Sequence, residues 1–470
     1  MKNGTTTISG WVLLGVLGIL LVGVSVSPTL AAGQKGNNAV FNTSSTCSPC
    51  TPSPAFIDAS VFTSKATTFC GVLNYVLTPI NGVVTSSGAV IDARGLNSGN
   101  TSMTCTASPW AGITNPPPTT ILLPATTATA PIVIPTTWVL PPNTRIVGEG
   151  GTIGSGTVGT IIQAASGLTS GSMIQMVPTS TLCLRPGFSV CTGISVENVV
   201  LDGQGNAVNG IENQAAGDRS YVDNVSLFQI RGTGLQIDTG ANGSGPYTNI
   251  TFDLGIYGGA SSTHCASINN AWTRGIHGLT CISSNNDPPA AVLLDGSNNS
   301  LEDVRIVGFY DGILVGANGD AKSNVLINVI GDTRLPFTVS STPITVVHIP
   351  PSSFSVTDLS IVGLANIGGS GTYSLHDELT GALLSDASVG IYALGEQPSS
   401  GIGYSRFTTS PSLPTWGTGS ASPTPLAGCT RGSIYSCTGG SSCKNGGTGP
   451  SYALWDCKAS GSSTAWTPVI

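Results

Sequence analysis

The chain has 470 residues, of which 8% are charged and 40% hydrophobic, and its formal net charge is −7. Low charge with a high apolar content argues against a disordered chain. The acidic balance and the lack of basic runs argue against nucleic acid as a partner. Thr, Val, Ile, Asn and Gly are abundant while Lys and Glu are few, which favours strands and turns over helices.

The N terminus has the layout of a secretory signal. One lysine precedes an apolar run at 11–26, and small residues extend to Ala31 and Ala32, where cleavage is expected. A retained membrane anchor is the alternative, although the run is shorter than the ~20 residues that a span prefers. We predict a signal peptide at 1–32, a flexible leader at 33–54, and a secreted or cell-surface protein without membrane contact after cleavage.

Twelve cysteines follow this signal, an even number that indicates disulfides in an exported chain. Close neighbours such as Cys183 and Cys191 are candidate partners, although the sequence cannot fix the connectivity. Cys47 and Cys50 have the spacing of a redox motif. They lie in a proline-rich leader and not at the start of a helix, which favours a structural loop.

The next segments predict one helix and then a series of short strands. Residues 65–80, KATTFCGVLNYVLTPI, place apolar side chains on one helical face, with a cap expected around Ser64. Residues 121–150 contain the runs ILLP, PIVIP, TWVLP and TRIVGEG, each ended by Pro or Gly, which do not continue a central strand. Residues 159–165 and 172–177 continue this series.

A repeated phrase begins near residue 195. Each copy places Asn, Asp or Gly before alternating apolar residues, and a second short run such as GLQID (234–238) or AVLLD (291–295) follows most copies. Two strands per repeat without a helix between them predict a solenoid of β-coils stacked at ~4.8 Å. The anchoring side chain fits a turn, where it can bond to the backbone or to the next coil. The predicted anchors are Asn198, Asn224, Asn249, Gly278, Asp303, Asn324 and Asp358.

Several of these segments resemble the first coils of the pectate-lyase superfamily, in particular of its secreted bacterial, acidobacterial-type members. They are GAVIDARGL (88–96), ILLPA (121–125), WVLPPNTRIVGEG (138–150) and TIIQAA (160–165). The resemblance implies an all-β fold, a right-handed parallel β-helix over 55–396, whose N-terminal helix covers the open end of the solenoid. It also implies a polysaccharide or glycan partner. Because the superfamily contains lyases, hydrolases, depolymerases and members that only bind or build structure, it does not decide the activity.

The C-terminal part differs in composition. Residues 397–428 predict a linker rich in Pro, Ser, Thr and Gly, and residues 429–470 a small β module with four cysteines. The module is either a disulfide-clamped end cap or a glycan-contacting or oligomerising unit that uses Tyr435, Trp455 and Trp466, since aromatic side chains serve both purposes.

Rows of acids on successive coils supply the candidate catalytic residues. Asp238 and Asp295 end second runs two coils apart, about 9.6 Å along the axis, which is at the edge of the range for an inverting carboxylate pair. Asp202 shares a column with Asp253 in the first runs, and Glu212 lies close to the row of Asp238. The alternative is that these are stacked polar residues at turns.

Stacked acids would also suit Ca²⁺, which takes several oxygen ligands, although no D-x-D-x-D-G loop is present. No other cofactor is evident. The motifs of polygalacturonases, Asn-Thr-Asp, Asp-Asp, Gly-His-Gly and Arg-Ile-Lys, are absent. Two functions therefore stay open. One is a secreted lyase or glycoside hydrolase that uses carboxylates, and the other is a non-catalytic adhesin- or tailspike-like protein that binds glycans or builds extracellular structure.

Overall fold

A computed structural model describes the chain in segments separated by short gaps. The predicted signal at 1–32 and the leader at 33–54, including Cys47 and Cys50, lie outside the described residues. The described ranges are 55–97, 99–151, 158–177, 191–255, 263–269, 271–283, 290–332, 344–351, 354–357, 359–366, 372–378, 390–392, 416–419, 434–437, 454–460 and 463–468.

Short strands dominate these residues. In chain order they are β1 (Ala55–Asp58), β2 (Ala89–Asp92), β3 (Thr119–Leu122), β4 (Thr126–Thr127), β5 (Ile132–Ile134), β6 (Trp138–Leu140), β7 (Thr144–Val147), β8 (Val158–Gly159), β9 (Ile161–Ala164), β10 (Ser172–Met176), β11 (Ser195–Asp202), β12 (Asn209–Asn213), β13 (Tyr221–Phe228), β14 (Thr233–Ile237), β15 (Tyr247–Asp253), β16 (His264–Asn269), β17 (Ile276–Ile282), β18 (Ala290–Asp295), β19 (Ser300–Val307), β20 (Asp311–Val315), β21 (Ala321–Lys322), β22 (Val325–Asp332), β23 (Ile344–Ile349), β24 (Val356–Thr357), β25 (Ser360–Asn366), β26 (Thr372–Asp377), β27 (Gly390–Tyr392), β28 (Trp416–Gly419), β29 (Ile434–Cys437), β30 (Leu454–Ser460) and β31 (Ser463–Pro468).

The strands of the solenoid form two long parallel sheets. Among the described residues, sheet 1 has 14 strands, in the order β1-β2-β3-β7-β11-β13-β15-β17-β19-β22-β25-β27 with β5 and β9 paired alongside. Sheet 2 has nine, in the order β6-β10-β12-β14-β16-β18-β20-β23-β26. From β10 onward the chain alternates between the two sheets, so that each of these coils contributes one strand to each sheet. This arrangement confirms the predicted parallel β-helix.

One α-helix, α1 (Phe69–Leu77), precedes the coils. It begins four residues later than the predicted cap implied, because the Thr68 side chain accepts a hydrogen bond from the Gly71 N–H, while Ala59–Lys65 forms a 3-10 helix. The predicted apolar face is correct, since all of its members are fully buried in the core that the coils share: Phe69, Val72, Leu73 and Val76. Within the described ranges, no helix is both long and apolar enough to cross a membrane.

Each of seven successive strands of sheet 1 turns a corner at one residue in the left-handed backbone region. The φ angles at these positions run from 52° to 73°. Asn, Asp and Gly are the residues that adopt this conformation at low cost, either through local side-chain bonding or through the lack of a Cβ atom. The corner residues are Asn198, Asn224, Asn249, Gly278, Asp303, Asn328 and Gly363.

Side-chain hydrogen bonds connect the corners of neighbouring coils. The Asn224 carboxamide donates to Asn198 Oδ1 at 2.7 Å, and the Asn328 carboxamide donates to Asp303 Oδ1 at 3.0 Å. Directly after each corner, an aliphatic side chain points inward and stacks on its counterpart in the next coil, at most 7% exposed. This column comprises Val199, Val225, Ile250, Leu279, Val304, Val329 and Leu364. Corner and column together hold the coils in register.

Asn324 confirms the predicted bonding of an anchor to the backbone, but it lies before the strand and not at the corner. Asp358 lies outside the described residues, and the corner of its coil falls at Gly363. Asn324 is buried before β22, where its Oδ1 accepts from the Asn299 N–H at 2.9 Å and its Nδ2 donates to the Gly296 carbonyl at 2.8 Å. The anchor pattern therefore merged two kinds of asparagine position, one at the corner and one before the strand.

Two described disulfides tie parts of the solenoid together. Cys70 of α1 bonds to Cys105, 35 residues later. Cys265 of β16 bonds to Cys281 of β17, and both are fully buried, so this bridge joins sheet 2 to sheet 1 through the interior. Cys191 is also disulfide-bonded, but Cys183 lies outside the described residues, so their pairing stays a prediction.

The strands nearest the C terminus form a separate four-stranded sheet, β28-β29-β30-β31. Its first strand falls inside the predicted linker at 397–428, most of which lies outside the described residues. Trp455 is fully buried, and the rings of Tyr435 and Trp466 pack with their centroids 5.8 Å apart. Trp455 therefore builds the core of this sheet. The disulfides predicted for the module involve cysteines beyond the described side chains.

We expect Asn249→Val to destabilise the protein by about 1–3 kcal/mol, because a β-branched residue is strained at the positive φ of this corner. Asn249→Gly is the matched control, since it also loses the side-chain bond to Asp223 but tolerates the backbone, as Gly278 does in the next coil. Urea unfolding of both variants measures the difference. Equal stability of the two would contradict the account of the corner.

Candidate functional site

Polar side chains occupy the outward face of sheet 2 in neighbouring strands. Gln175 of β10 pairs with Glu212 of β12, which pairs in turn with Gln236 of β14. The flanking residues Ile211 and Leu235 are fully buried. Because side chains alternate between the two faces of a strand, the polar residues face outward, and all three are partly exposed.

A second polar row runs beside the first. The strand pairing continues by one residue past the strand ends, so Gln214, Asp238 and Asn269 are neighbours in successive coils. Asn269 pairs next with Asp295 of β18. The row expected from the sequence is therefore present, and Asp238 and Asp295 stand two coils apart.

Five of these residues form what we call the acid–amide face: Glu212, Gln214, Gln236, Asp238 and Asn269. Gln214 Nε2 donates to Glu212 Oε1 at 2.6 Å, and Gln236 Nε2 donates to Asp238 Oδ1 at 3.0 Å. Asn269 Nδ2 donates to the same Asp238 oxygen at 2.9 Å from the next coil. Each carboxylate is thus oriented by an amide two residues along its own chain.

Further neutral groups support the edges of this face. Ser172 donates to Glu212 Oε2, and Gln175 Nε2 reaches the same oxygen at 3.5 Å. Asn209 Nδ2 donates to Gln236 Oε1 at 2.9 Å, and Ser267 Oγ donates to Asn269 Oδ1 at 2.7 Å. The donors named here are amides and hydroxyls without charge. These donors do not neutralise the charges of Glu212 and Asp238, so both carboxylates can attract hydrogen-bond donors of a ligand.

Asp295 does not share this exposure. It is 2% exposed, and its carboxylate accepts from the Asn318 backbone N–H at 3.1 Å and from Asn318 Nδ2 at 3.3 Å. Burial raises the pKa of Asp295 above its usual range, against the opposing hydrogen bonds from residue 318. The side chain is covered by the following loop, so an external ligand does not reach it in this conformation.

Asp202 lies on the other sheet, in β11. It is 9% exposed and accepts from the Gln204 N–H at 3.0 Å and from Gln163 Nε2 at 3.2 Å. Asp253 stands two coils further in the same column, as expected. Of the four candidate acids, the structure brings Glu212 and Asp238 together and separates Asp202 and Asp295 from them.

A further acidic group on sheet 1 is fully paired. Arg145 holds Glu197 through two hydrogen bonds of 2.6 Å, and Ser195 and Tyr221 each donate to Glu197 Oε1 at 2.8 Å. Burial works to raise the pKa of Glu197, but these partners outweigh it and hold the pKa below its usual range. Both carboxylate oxygens of Glu197 therefore already accept hydrogen bonds within the sheet.

Sequence reasoning missed one cluster of titratable groups on sheet 2. His348 of β23 places Nδ1 3.0 Å from Asp311 Oδ2 and Nε2 3.6 Å from Glu378 Oε2. Burial of the ring lowers the pKa of His348, but the two carboxylates outweigh this effect, and the net pKa is raised. The three residues stand on successive coils without a local motif, so only the register could have revealed them.

Within the described ranges, no group of three or more His, Cys, Asp or Glu side chains is arranged to hold a metal ion. The expectation of Ca²⁺ stays a prediction. A shallow depression of about 390 Å³ opens on sheet 1 between Asp303, Arg305 and Ile330. This depression is on sheet 1, whereas the acid–amide face is on sheet 2, and none of the candidate acids lines it.

No family model and no curated protein matches the chain. Solved structures match part of the chain, and three of them are the following. ORF18 of Geobacillus virus E2 is 13% identical, with 69% of this chain and 60% of that chain covered and a TM-score of 0.36. The mannuronan C-5 epimerase A-module of Azotobacter vinelandii is 14% identical, with 60% and 91% covered and a TM-score of 0.26. A DFA-IIIase variant of Arthrobacter chlorophenolicus A6 is 12% identical, with 72% and 86% covered and a TM-score of 0.35.

The matched region spans less than two thirds of the viral protein. At these identities and TM-scores, the likeness carries no argument about activity or substrate. Membership of the pectate-lyase superfamily stays a prediction that rests on the sequence resemblance.

We expect the His348 cluster to make stability depend on pH. A histidine whose folded pKa is raised stabilises the protein fully below its unfolded pKa of about 6.5, and this contribution is lost as the pH rises through the folded value. The melting temperature of the wild type should therefore fall between about pH 6 and pH 9 more steeply than that of His348→Gln. His277→Gln, on sheet 1, is the matched control. Parallel pH profiles for wild type and His348→Gln would contradict the prediction.

Proposed function

We propose that the protein is exported and binds a hydroxyl-rich polysaccharide along the acid–amide face. The observation that carries the proposal is the hydrogen-bonded network of Glu212, Gln214, Gln236, Asp238 and Asn269 on one outward surface. Export is supported by the predicted signal and by the described disulfides, which persist in oxidising compartments.

The chemistry of the face fits sugar hydroxyls. Each hydroxyl donates one hydrogen bond and accepts others, and carboxylates and amides side by side supply both kinds of partner. Hydrogen bonds to an ionised group are about twice as strong as neutral ones. The strands from β10 to β16 span three interstrand steps, roughly 14 Å, so the face extends along the solenoid axis. A chain molecule lying along the axis would meet a similar set of groups at each coil.

Charge favours a neutral polysaccharide over a polyuronate. Glu212 and Asp238 are oriented by neutral donors, and the chain as a whole carries a net charge of −7. A uronate chain would bring like charges against this face, which costs affinity at low ionic strength.

Hydrolysis of the bound polysaccharide is the second candidate function. Glu212 and Asp238 are offset by one strand and two residues, which places their Cα atoms about 8 Å apart. An inverting glycosidase needs its carboxyl groups about 6.5–9.5 Å apart to leave room for the attacking water, and two side chains on one face of a sheet can reach this separation from Cα atoms about 8 Å apart. This offset favours the pair Glu212 and Asp238 over the more distant and buried Asp295.

The decisive experiment measures binding to soluble polysaccharides by affinity electrophoresis. Galactomannan, xyloglucan and dextran represent neutral chains, and polygalacturonate and alginate represent uronates. We expect at least one neutral chain to be bound, and Glu212→Gln and Asp238→Asn each to weaken binding roughly ten- to a hundredfold, as expected for the loss of a charged hydrogen bond. Glu302→Gln on sheet 1 is the matched control and should bind as the wild type does.

Reducing ends measured in the same mixtures separate the two functions. Their release by the wild type, and its loss in Glu212→Gln and Asp238→Asn, would establish hydrolysis. Binding without release would leave a non-catalytic role. If none of the five polysaccharides is retained, or if both variants bind as the control does, the proposed function is wrong.

A further inference from the structure

A solvent-exposed tryptophan stands at the turn beyond the acid–amide face. Trp272 lies three residues after Asn269, in the segment that leads from β16 to β17, and 50% of it is exposed. The preceding turn begins at Asp238 and is tied to the same strand, because Thr239 Oγ1 donates to the Asn269 carbonyl at 3.2 Å. The turn with Trp272 is therefore continuous with the proposed binding face.

The backbone of Trp272 is held on both sides by the turn of the coil before. Its N–H donates to Asn242 Oδ1 at 3.0 Å, and its carbonyl accepts from the Gly243 N–H at 2.9 Å. Gly243 has a φ of +77°, and a Cβ atom there would lie 3.6 Å from the indole Cη2. The indole thus lies beside a residue that has no side chain, and half of Trp272 stays open to solvent.

An ion pair flanks the indole. Arg274 donates to Asp218 Oδ1 at 3.3 Å across two coils, and both side chains are more than half exposed. The same Asp218 oxygen lies 3.2 Å from the position of a Cβ on Gly243. One small surface therefore presents an aromatic ring, a carboxylate and a guanidinium. Because both side chains are more than half exposed, their polar atoms remain available to a ligand.

We infer that Trp272, Asp218 and Arg274 form a subsite for a single sugar ring at one edge of the acid–amide face. A sugar ring has an apolar C–H face that packs on an aromatic ring, and its rim of hydroxyls suits the acceptor Asp218 and the donor Arg274. An aromatic body beside polar groups is the combination that binds amphipathic ligands. The inference rests on the proposed function and extends it, because the subsite would bind a further ring of the same neutral polysaccharide, such as a branch that leaves the axial chain at the coil of β16.

Three substitutions at one position test the subsite with the neutral polysaccharide that the wild type retains most strongly among galactomannan, xyloglucan and dextran. Trp272→Phe keeps an aromatic face and should hold affinity within roughly threefold, whereas Trp272→Ala should lose roughly tenfold or more. Trp272→Leu keeps apolar bulk without a ring and should lose as much as Trp272→Ala. Quenching of tryptophan fluorescence by the polysaccharide should also shrink in Trp272→Ala.

Thermal unfolding of each variant checks that the fold is retained, and the comparison of Trp272→Leu with Trp272→Phe supplies the test if Trp272→Ala is unstable. Wild-type affinity in Trp272→Ala, together with weakened binding in Glu212→Gln, would overturn the subsite and leave the proposed function standing. Wild-type affinity in Trp272→Leu would overturn the stacking role. A wild-type dimer that becomes monomeric in Trp272→Ala would assign the ring to a contact between copies instead. Failure of the wild type to bind any probe would overturn both proposals.

Discussion

Parallel-strand hydrogen bonds hold each coil on the next, and one left-handed corner residue within each of seven successive sheet 1 strands fixes where that strand turns. Because side chains alternate along a strand, a slip of one residue would exchange the inward and outward sets. The column that follows the corner, from Val199 to Leu364, would then face water. The penalty for such a slip grows with every coil, so the corner residues specify the register of the whole solenoid. Every feature of the outward surface depends on that register.

The acid–amide face is a direct consequence. Glu212 and Asp238 are close only because successive coils align residues 24 to 26 positions apart in the chain. Within each coil, an amide two residues away orients the carboxylate, so the groups are arranged before a ligand arrives. A preorganised face binds with a smaller entropic cost than one that must be ordered on contact. The lack of charge in the surrounding donors leaves the carboxylates to act on the ligand.

The sequence predicts the architecture well because the repeat is local. Corner positions such as Asn198 and Asp303 are recognisable since few residue types adopt a positive φ. At Asn324 the same pattern marks a buried asparagine before the strand, which bonds to the backbone of the preceding coil and does not form a corner. It also places Asp238 and Asp295 correctly in one row. The repeat pattern does not show that the loop at 317–318 covers Asp295, because burial depends on contacts between coils.

The site is less predictable than the fold for the same reason. Glu212 becomes a partner of Asp238 through the pairing of β12 with β14, and His348 meets its two carboxylates through pairing across three coils. Neither arrangement leaves a motif within a short window of sequence. The register between coils decides which acidic side chains become neighbours. The residue types alone do not show this.

Cross-linking between engineered cysteines tests this register most directly. Glu212→Cys and Gln236→Cys in one chain would place two thiols on directly paired positions of β12 and β14. Neighbouring strands bring Cα atoms to about 4.8 Å, within reach of a disulfide. After oxidation, peptide mass spectrometry should detect a disulfide in this double variant. It should detect none in the double variant Glu212→Cys with Asp238→Cys, because those Cα atoms lie about 8 Å apart. The reverse outcome, a bridge only in the second pair, would mean a register shifted by two residues and would contradict the account of the site.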